Sequence, residues 1–291
     1  MRDIKKILSI FIWIITSLQV YGQDISPEKL LSRADYLYSH HQYEPAIKEY
    51  QRYLFYTGSE DIAVLEKLAD GLFKLQNYDL ALQYYEQIYY LSDNPEQKFR
   101  SRLREIKYHI DQKEYNKALV VLYSVRSDYY ALYPEIIDLL FAICHYGIEE
   151  FERSEEYFLD IVASDSAATH HIKEIFSDKK KFNKPNPKTI SFLSLFIPGL
   201  GQIISGDLKE GLNSFILVEG IGVLAVYVGF RYSIIDAVFT VLPWYQRYLL
   251  GGSDKAEKIA IRKRAQNRNE IFHEILEVLE PYEEMFEMRG E

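Results

Sequence analysis

The feature that most constrains this chain is an internal repeat. The strings Tyr43-x-x-Ala46-x-x-x-Tyr50, Tyr78-x-x-Ala81-x-x-x-Tyr85, Tyr115-x-x-Ala118-x-x-x-Leu122 and Phe151-x-x-Ser154-x-x-x-Phe158 begin 35, 37 and 36 residues apart. Nine residues before each leading aromatic stands Ala34, Ala69, Ile106 or Ala142. A period of this length holds two helices and their turns, so each unit predicts a helical hairpin whose second helix opens on the aromatic. One hairpin cannot bury both of its apolar faces, whereas stacked neighbours bury them for one another. An all-α, helical-hairpin solenoid is therefore expected over residues 24–176.

The repeat resembles the tetratricopeptide repeat, and the resemblance covers residues 26–164. In that family small residues let the two helices cross closely, and aromatics fill the next interface. Units one and two follow the pattern. Unit three has Ile106 and Leu122 at a small and an aromatic position, and unit four has Ser154 for alanine and no closing proline. Carried onto this sequence, the family pattern points Asp35, Tyr38, Glu66, Asp70, Phe73, Lys107 and Tyr146 toward a concave groove that takes a protein or peptide. The other reading of these positions is plainer: Tyr38, Phe73 and Tyr146 pack between helices, and the acids form a solvated face. The tyrosines at 84, 85, 89 and 90 fall at helical spacing and read as interhelical packing with wet hydroxyl tips.

Two other blocks flank the repeats. At the start, Arg2, Lys5 and Lys6 precede an apolar run and then Val20-Tyr21-Gly22, so residues 1–23 read as a secretory signal peptide, with an uncleaved anchor as the alternative. After the repeats, residues 177–189 carry five lysines, one aspartate and two prolines, a basic linker of net charge +4 against -11 for residues 24–176. Lysines placed just before an apolar run meet lipid phosphates, or else simply solvate a linker.

Residues 190–252 hold three apolar stretches and nine of the chain's 14 glycines. Glycine costs a soluble helix about 1 kcal/mol, whereas helices in lipid use it for close backbone approach. The block is therefore expected to lie in a membrane as a helical hairpin, with two spans preferred over three. Glu219 and Asp236 sit inside it, where an isolated charge is costly, so each is expected to be protonated, paired or turned toward other helices. Arg231 and Arg247 are the available partners. A string from Ser194 through Pro198-Gly199-Leu200-Gly201-Gln202 to Gly206-Asp207, followed by Gly211 and Gly251-Gly252, resembles a bacterial membrane domain marked by a PGLGQ motif. That likeness covers residues 189–269; it implies a membrane hairpin and assigns no activity. Beyond it, residues 253–291 read as a charged helical tail that ends at Pro281, basic first and acidic after.

Several functions are excluded or disfavoured. A net charge of -9 argues against a nucleic-acid surface, and the single Cys144 excludes a disulfide framework or a CxxC pair. His170, His171 and Glu174 do not share one helix face, so no metal is expected. The Pro-Gly-x-Gly string lacks the lysine and hydroxyl of a phosphate loop, and no cofactor is expected. The acidic pairs lack a second chemical group, so no enzyme is expected. The sequence thus points to a scaffold or assembly factor at the bacterial inner membrane. Its repeats would face the periplasm and hold a polypeptide, its membrane partner would be lipid, and its oligomeric state stays open. The rival is a small transport or lipid-handling protein acting through Glu219 and Asp236, with the repeats regulating it.

Overall fold

A computed structural model describes residues 26–282, and these are all-α. The signal-peptide reading of residues 1–23 lies outside the described residues. The chain divides into two compact units, Met1–Ile148 and Glu149–Glu291.

The first unit contains α1 (Pro27–Ser39), α2 (Tyr43–Thr57), α3 (Ile62–Lys74), α4 (Tyr78–Leu91), α5 (Pro95–Asp111), α6 (Tyr115–Tyr129) and α7 (Pro134–Gly147). Each packs on the next, as a stack of hairpins requires. The close crossings fall at the small residues: Ala34, Ala46, Ala69, Ala81, Ala118 and Ala142 are wholly buried. The first helices of the first three hairpins start on polar caps, with Ser26 accepting from the amide of Lys29, Asp61 from those of Ala63 and Val64, and Asn94 from that of Glu96.

The hairpin turns repeat as faithfully as the core. His41, Gln76, Lys113 and Glu149 take φ of 58°, 61°, 59° and 70°, each two residues before the aromatic that opens the next helix. In the first three turns the following amide reaches back five residues in a Schellman closure: Gln42 to the Leu37 carbonyl at 2.9 Å, Asn77 to Leu72 at 2.9 Å and Glu114 to His109 at 2.7 Å. Four left-handed bends at one repeat position carry the period into the degenerate units, where side-chain identity has drifted.

The second unit contains α8 (Phe151–Ile161), α9 (Ser166–Ser177), a 3-10 turn (Lys179–Asn183), α10 (Pro187–Phe196), α11 (Leu200–Ile204), α12 (Leu208–Arg231) and α13 (Leu242–Leu279). A short turn and a π-helical segment (Ala237–Val241) join α12 to α13. The lysine-rich segment lies inside this unit. Phe182 is fully buried there, stacked on Phe151 with centroids 4.4 Å apart, and its carbonyl accepts from Arg268 Nε at 2.7 Å. One aromatic among lysines suffices to dock the segment while its charges stay outside. The expected third apolar stretch and the charged tail are a single helix. α13 runs through Gly251-Gly252 without interruption, since neither glycine takes a positive φ and an isolated helical glycine costs only about 1 kcal/mol.

Candidate functional site

In the first unit the expected groove residues form a repeated contact set. Asp35 accepts from the Tyr50 hydroxyl at 2.6 Å and from Lys67 Nζ at 2.7 Å. One repeat later Asp70 accepts from the Tyr85 hydroxyl and lies 3.6 Å from the Arg104 guanidinium. Each aspartate thus ties the second helix of its own hairpin to the first helix of the next. The rings follow the same rule: Tyr38 sits 5.4 Å from Tyr43, and Phe73 sits 4.9 Å from Tyr78. In the third repeat Lys107 and Leu122 occupy the aspartate and tyrosine positions, and Lys107 is exposed. Tyr146 is half-buried.

Electrostatics accord with these ties. Burial raises the Asp35 carboxyl, but the hydrogen bonds from Lys67 and Tyr50 outweigh it and hold the group below the usual carboxylate value. Burial, then the facing carboxylate, push the hydroxyls of Tyr50 and Tyr85 well up, so both stay protonated donors. Glu66 shares a cleft of about 60 Å³ with Asp70, Arg100 and Arg104, and burial raises its carboxyl. That cleft is too small to take more than a water or two. Asp35, Asp70, Tyr38 and Phe73 therefore spend much of their chemistry inside the stack. The face they border is polar.

In the second unit the PGLGQ string builds a tight polar knot at the base of α12. Gly199 takes φ +87°, and a Cβ there would stand 2.0 Å from the Gly211 carbonyl oxygen. A Cβ on Gly201 would stand 2.3 Å from the Ile190 carbonyl oxygen. Both glycines are thus fixed by backbone-to-backbone contact. Gln202 is wholly buried: its Oε1 accepts from Ser194 Oγ at 2.9 Å, and its Nε2 donates to the Gly252 carbonyl at 2.8 Å. Ser194 Oγ in turn accepts from the Gly201 amide at 2.9 Å. Pro198 is buried beside the bend, Gly206 turns the chain at φ +92°, and Asp207 caps α12 by accepting from the Glu210 amide at 3.1 Å. Ser191 and Ser253, unremarked in the sequence, add a hydroxyl contact at 2.8 Å, and Ile190 packs with Ala256 and Ala260. One motif so joins α10, α11, α12 and α13.

Above this knot the surface is apolar. α12 is the one helix among the described residues that is long and apolar enough to cross a membrane, and only 11% of its apolar window is buried. Phe215, Ile216, Val223, Tyr227 and Phe230 are exposed along it. Its 24 residues span about 36 Å, against a hydrocarbon core of about 30 Å. α12 and the chain after it run antiparallel, because Ser214 meets Gly252, Gly222 meets Tyr245 and Gly229 meets Ala237. The return leg also exposes Ile234, Ile235, Phe239 and Trp244.

The expected pairing of intramembrane charges is not formed. Glu219 and Asp236 are exposed, and no ion pair joins either to Arg231 or Arg247; the two arginines instead lie 5.9 Å from the rings of Tyr232 and Trp244. Each arginine lies over the aromatic ring of a residue close to it in sequence, and neither reaches across the hairpin to an acid.

At the base of the hairpin a cleft of about 490 Å³ is lined by Lys184, Lys263 and Asn267 together with Ile190, Leu193 and Ile204. It combines cationic and apolar walls and contains no carboxylate.

No family model, curated protein or solved structure matches the chain.

Proposed function

We propose that this protein is a membrane-anchored docking protein of the bacterial cell envelope. Its second unit is held in the inner membrane by the hairpin built on α12, and the helical repeats of its first unit hold a polypeptide partner on the periplasmic side. The observation that carries this reading is the exposed apolar surface of α12 and its return leg. A run of exposed large apolar side chains on this scale is tolerated in lipid or against a partner, and not in water. Two further features support lipid. The knot at the hairpin base pairs the buried Gln202 amide and Ser194 hydroxyl internally, as a low-dielectric setting favours. Lys184 and Lys263 line the cleft at the hairpin base together with Ile190, Leu193 and Ile204, an arrangement of cations beside apolar side chains that suits lipid headgroups.

The repeat unit supports the docking half of the proposal by its architecture. Stacked hairpins present one extended face, and the polar row of Asp35, Glu66, Asp70 and Lys107 with flanking Tyr38, Phe73 and Tyr146 suits a peptide with both charged and aromatic groups. The test has two arms. Membranes from cells making the full chain are washed with carbonate, and the protein is expected to remain in the pellet. Photocrosslinkers at positions 66 and 107 are then each expected to capture one discrete polypeptide, and the position-66 crosslink is expected to be lost when Lys107→Glu makes the row wholly acidic. Release into the wash sinks the anchor; crosslinks to lipid or solvent alone sink the docking role.

A further inference from the structure

Glu219 lies at the midpoint of α12, eleven residues from Leu208 and twelve from Arg231. In a helix that crosses a bilayer this is the most expensive depth for a carboxylate. The antiparallel register fixes what lies beside it. Contacts between Ser214 and Gly252, Gly222 and Tyr245, and Gly229 and Ala237 set position 219 level with position 247 on the return leg. Position 247 is arginine. The two opposite charges therefore share one depth, yet both are exposed and no ion pair joins them within the chain. The face toward the return leg is taken by small or buried residues, Gly211, Val218 and Gly222, which leaves Glu219 on the outer stripe with Ile216, Val223 and Phe230.

We propose that the hairpin pairs with a second copy of this chain in the membrane, with Glu219 of each copy facing Arg247 of the other. The inference rests on the membrane reading above. The argument is geometric. Two copies in one bilayer with the same orientation are related by an axis along the membrane normal, and such a rotation preserves depth. Only charges at equal depth meet under that operation, and at the middle of the hairpin Glu219 and Arg247 are opposite charges at equal depth. An isologous contact then satisfies all four charges at once with two ion pairs. The surrounding stripe of Ile216, Val223 and Phe230 supplies apolar contact around them.

The experiment uses full-length chains carrying donor or acceptor dyes, reconstituted in phosphatidylcholine–phosphatidylglycerol vesicles, with energy transfer read as lipid dilutes protein. Wild type is expected to transfer above a random-mixing control. Glu219→Gln and Arg247→Gln, which lighten the burden of insertion, are each expected to weaken association by about tenfold, the scale of an interhelical polar contact in lipid. Glu219→Arg alone and Arg247→Glu alone are expected to lose it further. Mixing these two variants is expected to restore transfer between them, because every contact in the mixed pair again sets arginine against glutamate. Wild type that inserts yet shows only random transfer overturns the proposal, as does association unchanged by either glutamine variant, or a mixture that fails to recover. Carbonate extraction of the same vesicles separates the two readings: release overturns the membrane anchor itself, while retention without transfer overturns only the pairing.

Discussion

Both units bring helices together on small residues, but alanine recurs at the helix crossings of the repeat unit, while glycine makes the backbone-to-backbone contacts at the hairpin base. Ala34, Ala46, Ala69 and Ala81 are wholly buried and keep their helices strong, and apolar burial in water supplies the drive to stack them. At the hairpin base Gly199, Gly201 and Gly211 let backbone touch backbone. Lipid gives helices no hydrophobic reason to associate, so van der Waals contact and internal hydrogen bonds must hold them, and both need the closest approach. Under the membrane anchor proposed above, the small residue chosen at these contacts follows the surroundings of each unit.

The largest expected effect tests that contrast directly. Gly199→Ala places a Cβ 2.0 Å from the Gly211 carbonyl oxygen at a φ that disfavours any side chain, and is expected to cost about 3 kcal/mol or more. Gly220→Ala meets nothing within 4 Å, and is expected to be neutral or to stabilise by up to about 1 kcal/mol. Denaturant unfolding of the full chain in detergent micelles measures both. Equal losses would show that the knot is not close-packed and would erase the distinction between the units.

Next in size is Gln202→Ala. It removes the side-chain donor to the Gly252 carbonyl and leaves the Ser194 hydroxyl without its acceptor in a buried site, for an expected loss of about 2 kcal/mol. Gln202→Glu tests the same position by charge: a buried carboxylate cannot donate to the Gly252 carbonyl, so the variant is expected to unfold more readily at neutral pH than in acid. The same micelle assay, run at two pH values, checks it.

In the repeat unit the counterpart is the tyrosine–aspartate tie. Tyr50→Phe and Tyr85→Phe are each expected to cost about 1.5 kcal/mol at neutral pH, since the acceptor is charged in both. Their near equality is what an exact structural repeat demands. The Asp35 tie also has a pH signature. Burial raises this carboxyl but Lys67 and Tyr50 lower it more, so its folded value lies below the ordinary 3.8. The stability it adds is in place above that value and is lost as pH falls through the folded one. The gap between Tyr50→Phe and the parent is therefore expected to narrow below about pH 3.8 in equilibrium unfolding.

The repeat period was legible because two signals, a buried small residue and an aromatic nine positions later, are local and recur. The hairpin class of the first unit followed from them. The aspartate–tyrosine ties were within reach of the same inspection, since Asp35 with Tyr50 and Asp70 with Tyr85 keep one spacing of 15 residues. They passed as groove acids because a carboxylate pattern alone does not reveal its donor. In the second unit the PGLGQ string marked the right place, but not its contacts. Gln202 reaches Gly252 across 50 residues, and nothing local to either position encodes that partner. The charges at 219, 231, 236 and 247 suggested pairs by sign. Their actual arrangement depends on helix register, which the sequence pattern leaves free and the glycine contacts fix.

The smallest expected effect concerns the turns, where the units invert their use of glycine. His41, Gln76 and Lys113 are exposed non-glycine residues held at φ near 60°. A left-handed residue with a side chain carries a steric cost of about 1–2 kcal/mol, and glycine there removes it while losing about 0.5–1 kcal/mol to the freer unfolded chain. Gln76→Gly is therefore expected to stabilise by a few tenths of a kcal/mol up to about 1. Because the three turns share one closure, His41→Gly and Lys113→Gly are expected to match it, and the triple variant to add, since the sites share no contacts. Gly206, at φ +92° with nothing within 4 Å of an added Cβ, is the opposite case: Gly206→Ala is expected to cost about 1 kcal/mol from backbone strain alone. Thermal unfolding of the full-length variants in one detergent reads both signs together. A gain at the repeat turns with a loss at Gly206 confirms that glycine at the hairpin base meets a left-handed turn that a side chain would strain, and is withheld from repeat turns that tolerate the strain.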